Sequence, residues 1–152
     1  MCIGEIFLQC GNFCVRYLPR IMDLLLISCE GVLTVGDLNY AEILQESIIE
    51  TLMCIYHGVE DLEGKKILAK SLGFVTEFIR ITTDLTRHPK LDYVKDSIML
   101  MGDIVSALPN EAGNLAKCTF VKERLATLVK FNKDGHLRQC IAFVSQQFRI
   151  NL

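Results

Sequence analysis

Apolar residues along this chain recur at three- and four-residue intervals, the spacing that places them on one face of an α-helix. The first clear stripe is Leu18, Ile21, Leu25 and Cys29, in LPRIMDLLLISCEG. Pro19 suits the first turn of that helix, where a missing N–H costs nothing, and Gly31 offers a stop. GVLTVGDLN has glycines and no helical period, so it reads as a connector. The next stripe, Leu44, Ile48, Leu52 and Ile55, predicts a long helix over 43–59. Charged GVEDLEGKK reads as a loop. Leu68, Leu72, Val75 and Ile79 predict a helix over 67–83. TDLTRHPK is a turn, since Pro89 disfavours continuing the helix before it. Val94, Ile98, Met101, Val105 and Leu108 predict a helix over 91–108, stopped by Pro109. Val121, Leu125 and Leu128 mark one over 119–131; after KDG, Leu137, Ile141, Val144 and Phe148 mark a last one over 137–148. No alternating run is flanked by turn chemistry. The expected fold class is all-α.

The pattern also repeats on a longer scale. MCIGEIFLQCGN at 1–12 and MLMGDIVSALPN at 99–110 share Met, apolar residues, Gly, an acid, Ile and a final Asn in one frame. Midway, TLMCIYHG puts Cys54 at the place of Gly4 and Gly102, which sets a period of roughly 49 residues, near that of helical solenoids. The helices between repeat as well: LPRIMDLLLI aligns with LGFVTEFIRI. A glycine inside a helix costs about 1 kcal/mol in propensity. Its return at one register points to close helix packing. The repeats fall at approximately 1–33, 38–85 and 89–132, with a terminal helix over 135–150.

Composition narrows the class. Of 152 residues, 51% are hydrophobic and 22% charged, which favours a folded core over disorder. A net charge of -2 carries no nucleic-acid or membrane-surface signature. No apolar run reaches the ~18 residues of a membrane span; Asp23 breaks IMDLLLIS, and MCIGEIFLQC lacks the basic start of a signal peptide. The seven cysteines lie mostly in apolar helical patterns with no CxxC pair, and read as reduced core thiols of a cytosolic or nuclear protein.

YLPRIMDLLL resembles a HEAT-repeat second helix. The ordered series MCIGEIFLQCGNFCVRYLPRIMDLLL, LNYAEILQESIIETLMCIYHGV, FVTEFIRITTD and IMLMGDIVSAL is similar to consecutive repeats near the carboxyl end of the importin-β (karyopherin-β) family of nuclear import receptors. The marks are the Gly-acid-Ile runs at 4–6 and 102–104, Tyr17-Leu18 before a second helix, and Glu46-Ser47 before apolar residues. The resemblance implies a HEAT-repeat α-solenoid of about three helix pairs plus a terminal helix. It implies a carboxyl-terminal receptor segment that binds a basic adaptor, the importin-β-binding helix of importin-α, or a basic cargo. For the full-length protein it implies Ran GTPase and FG nucleoporins as partners, and residence in cytoplasm, nucleus and nuclear pore. It calls for no cofactor. Met1 falls inside a first helix of a repeat, so a fragment of a longer solenoid is expected. The chain departs from the family in being less acidic and lacking Trp; the place of the family's last tryptophan falls at Phe143. A HEAT scaffold with an unrelated partner is the alternative.

Candidate binding residues follow from the second helices. Asp23, Glu77 and Glu123 each lie two residues past a stripe member, a rotation of about 200° that turns them from the core. Stacked repeats would set these carboxylates in a column suited to a basic helix. Arg20, Arg80, Lys122 and Arg124 lie on or beside the same helices. Phe143 could contact the stem of a partner Lys or Arg, although its place beside Val144 also fits the core. Cys2, Ile3, Ile6 and Phe7 would form an apolar patch for self-association. Catalytic and metal residues are not expected: His57, His88 and His136 are dispersed, and Cys10 and Cys14 have no second ligand pair.

Overall fold

The structure, a computed structural model, describes residues 3–112, 115, 118–131 and 135–149, with the backbone alone at Gly135 and His136. Among them there are seven α-helices and no strand: α1 (Ile3–Cys10), α2 (Leu18–Thr34), α3 (Leu38–Gly58), α4 (Leu62–Thr82), α5 (Leu91–Ala107), α6 (Thr119–Lys130) and α7 (Gly135–Gln147). Short 3-10 turns cover Gly11–Tyr17 and Leu85–Arg87. The all-α expectation stands.

Helix ends follow local chemistry more closely than the apolar stripes do. α2 runs through Gly31 to Thr34, whose hydroxyl donates back to the carbonyl oxygens of Gly31 and Glu30. Gly31 is exposed and has nothing within 4 Å of where a Cβ would stand, and the helix continues past it. The expected connector therefore shrinks to Val35, Gly36 and Asp37. Asp37 caps α3, accepting from the Tyr40 N–H at 3.1 Å. The expected charged loop shrinks in the same way. Asp61 accepts from the Gly64 N–H at 2.6 Å, which lets α4 begin at Leu62. Pro19 occupies the first turn of α2 as expected.

The chain divides into two compact units, Met1–Phe78 and Ile79–Leu152. In the first, α1 packs along α3, and α2 also packs on α3. Phe7, Leu18, Met22, Ile48, Ile49, Leu52, Ile55, Leu68, Val75 and Phe78 are buried there. On α2 the buried stripe is Leu18, Met22, Cys29 and Val32, with Ile21 and Leu25 only half-buried. In the second unit, α5 packs on both α6 and α7, and α6 on α7. Its core holds Ile79, Val94, Ile98, Met101, Ile104, Val121, Leu125, Leu128, Val144 and Phe148. A Tyr93 hydroxyl that donates to the Thr82 hydroxyl at 2.6 Å lies buried in it.

The recurring frame has a packing basis in each unit. A Cβ on Gly4 would lie 2.9 Å from Cys54 Cβ and 3.2 Å from Thr51 Cα, so α1 meets α3 through the two positions that correspond in the repeat. A Cβ on Gly102 would lie 2.8 Å from Phe143 Cε1 and 3.2 Å from Val144 Cγ2, so α5 meets α7 through the same frame position. The missing side chain lets the helices approach, and the gained contact repays the propensity cost.

Candidate partner-binding surface

Asp23 on α2 and Glu77 on α4 are exposed and belong to the first unit. Glu123 on α6 is exposed in the second. All three thus turn away from the buried stripes of their own helices. Their neighbourhoods differ. Leu24 and Ile27 flank Asp23 on the outer face of α2, and Ile27 is 63% exposed. Glu123 already accepts from Arg124 Nη1 at 3.1 Å. Arg124 itself is buried, against the expectation of a surface cation. Position 124 adjoins the buried Leu125, and Arg124 reaches Glu123 from inside. Arg20, Arg80 and Lys122 are exposed as expected.

Phe143 does not stand out from the surface. It is half-buried, and its ring covers Gly102 in the contact of α5 with α7. That placement makes it a packing residue at the edge of the core, and its availability to a partner is confined to the exposed part of the ring.

The amino-terminal patch is redrawn. Ile3 and Ile6 are exposed, but Phe7 is 1% exposed because it points into the contact with α3. Cys2 lies outside the described residues. Phe13, 89% exposed, and the exposed Tyr17, Leu38, Tyr40 and Ile43 extend the apolar surface of this unit beyond the expected residues. For the exposed Leu24 and Ile27 a signal was present: LLLI at 24–27 is apolar over four consecutive positions, and a helix cannot bury all four directions against one neighbour.

Ionisable groups sort into structural roles. Asp84 precedes the second 3-10 turn and accepts from the Thr86 N–H at 3.0 Å and the Thr86 hydroxyl at 2.9 Å. These bonds, with a smaller contribution from Arg124 and Arg87, hold its carboxyl below the ordinary value of 3.8. Burial acts to lower Lys95, but Asp96 at 3.3 Å and Asp92 at 3.7 Å outweigh it and leave the ammonium above its ordinary value. Lys95 stands at the rim of an apolar crevice between α5, α6 and α7, lined by Ile98, Leu125, Leu128 and Ile141. It leaves no room for a water molecule, so it is a packing defect rather than a ligand site.

His57 is exposed in the last turn of α3, and His88 is exposed in the left-handed conformation, φ 53°, after the second 3-10 turn. The side chain of His136 lies outside the described residues. Among the described residues, no three His, Cys, Asp or Glu side chains gather as a metal site would require. No described helix is long and apolar enough to cross a membrane. The expectation of core thiols needs revision: Cys29 and Cys140 are buried, but Cys14, Cys54 and Cys118 are half-buried and Cys10, at the end of α1, is exposed.

No family model, curated protein or solved structure matches this chain.

Proposed function

We propose that this chain is a helical-repeat interaction scaffold of the importin-β kind, which takes up a basic helix of an adaptor or cargo for nuclear import. The observation that carries the reading is the contact of Gly4 with Cys54: corresponding positions of successive first helices touch, as stacking by repetition requires. Stacking of this sort gives every second helix an equivalent outer face. Asp23 and Glu77 are exposed acids on two such helices, α2 and α4. An Arg or Lys on a partner helix would pair with each at the surface, and Leu24 and Ile27 beside Asp23 offer apolar contact for its stem. Glu123 contributes less than Asp23, because Arg124 already shares its charge.

The test is titration of an importin-α-type basic peptide against the wild type, the double variant Asp23→Asn/Glu77→Gln, and Glu123→Gln, at low and moderate salt. The double variant should bind several-fold more weakly at low salt and show a shallower salt dependence. Glu123→Gln should change affinity less. Equal affinities for wild type and double variant, or no binding by the wild type, would remove these acids from recognition and leave a helical scaffold with a different partner.

A further inference from the structure

The first 3-10 turn runs straight into α2, because Tyr17 and Leu18 at the junction both keep right-handed helical backbone angles. Together they present one continuous outer ridge. Its apolar members are Phe13, Tyr17, Leu24 and Ile27, all exposed. Its charged members are Arg16, Arg20, Asp23 and Glu30, also exposed. Counted at 100° per residue in α2 and 120° in the 3-10 turn, all eight fall within about 80° of the direction opposite the buried Leu18. An apolar ridge of this length on the surface marks an interaction face.

The charges are ordered along the ridge. Both cations lie in its amino-terminal half and both acids in its carboxyl-terminal half. Among the described residues, none of the four is engaged in an ion pair. The Arg16 guanidinium lies 4.6 Å from the centre of the Tyr17 ring, which holds it against the ridge. The midpoints of Arg16 with Glu30 and of Arg20 with Asp23 both fall at about position 22. A ridge with this order complements itself when reversed about that point.

We propose that the ridge is an isologous dimer interface whose occupant is the same ridge of a second copy, laid antiparallel. A two-fold axis near position 22 sets Arg16 against the second copy's Glu30 and Arg20 against its Asp23, and repeats both pairs by symmetry. Arg16 and Glu30 lie on one flank of the ridge, and the axis keeps that flank on one side of the dimer. Phe13 reaches the level of the second copy's Gly31, where no atom of its own chain lies within 4 Å of a Cβ position. Tyr17 reaches the level of its Ile27. One ridge per copy is a small interface, so association should be weak and depend on concentration and salt. The dimer needs no basic peptide and does not rest on recognition of one. It competes with such a peptide, since both cover Asp23.

The test is sedimentation equilibrium of the full chain from low to high micromolar concentration, with far-UV circular dichroism to check each fold. The wild type should pass from monomer to dimer. Arg16→Glu/Arg20→Glu should weaken dimerisation roughly ten-fold or more, as should Asp23→Arg/Glu30→Arg. The chain carrying all four reversals should dimerise within a few-fold of wild type, because every pair is restored with its signs exchanged. Ile27→Glu, at an exposed position, should stay monomeric. A wild type that is monomeric throughout would overturn the proposal. So would double variants that associate as tightly as wild type, or a four-fold variant that stays as weak as the doubles.

Discussion

Gly58→Ala and Gly73→Ala make the same chemical change at two helical positions and should move stability in opposite directions. Gly73 lies inside α4, is exposed, and has nothing within 4 Å of where a Cβ would stand. There the methyl only removes the backbone-entropy penalty of glycine, worth about 0.8–1 kcal/mol of stabilisation. Gly58 ends α3 against α1, and its added Cβ would lie 2.3 Å from the Phe7 carbonyl oxygen and 2.7 Å from the Phe7 carbonyl carbon. Both atoms are backbone, so no rotamer change relieves the clash. Restoring an ordinary contact requires α1 and α3 to part by about 1 Å, which loosens packing around the buried Phe7 as well. Overpacking of this kind costs typically 1–3 kcal/mol, and the helix-end position recovers less than the full propensity gain. The net expectation is a loss of about 2 kcal/mol. For a chain of this length each kcal/mol shifts Tm by about 2–4 °C. Gly58→Ala should therefore melt about 4–8 °C lower than wild type and Gly73→Ala about 2–4 °C higher, followed by far-UV circular dichroism and checked by urea denaturation. A Gly58→Ala protein as stable as wild type, or a destabilised Gly73→Ala protein, would refute the assignment of these signs to neighbouring atoms.

Two further outcomes are expected. The Asp84 carboxyl is held below 3.8, so its stabilising effect is complete above the unfolded value and is lost as pH falls through the lower folded value. Asp84→Asn should accordingly lose less stability than wild type on acidification below about pH 4, measured by urea midpoints at several pH values; parallel losses would count against the charge-dependent cap. Tyr93→Phe removes the buried donor to the Thr82 hydroxyl and should cost about 1–2 kcal/mol, with no gain from the added apolarity; an unchanged urea midpoint would mean that this bond adds nothing to stability.

Much of the helical architecture was legible in the sequence. Leu68, Leu72, Val75 and Ile79 formed the expected face of α4, and Val121, Leu125 and Leu128 that of α6; all are buried. Such stripes are readable because helical periodicity is local and the core accepts one face of each helix. Helix starts were harder. Asp37 and Asp61 each satisfy an N–H at the head of a helix, and that small local gain extends α3 and α4 into segments whose apolar period is weak. Glu77 and Glu123 were legible for the same reason as the stripes, being displaced from buried Val75 and Val121 by a fixed rotation, whereas Asp23 is exposed although the stripe it was referred to, Ile21 and Leu25, is only half-buried.

The order of apolar and polar residues thus determined by itself that the chain is helical, where most helices lie and that a glycine frame recurs. Only the tertiary structure decided that Gly4 seats against Cys54 and Gly102 beneath Phe143, that Phe7 is core while Phe13 is surface, and that Arg124 is buried while Arg20 is not. It alone joined Asn12 to the backbone at Glu60 and Asp61. The physical reason is the range of each interaction. Periodicity is written within a few turns of one helix, whereas which face of a helix is covered, and by what, depends on residues about fifty positions away whose approach no local pattern encodes.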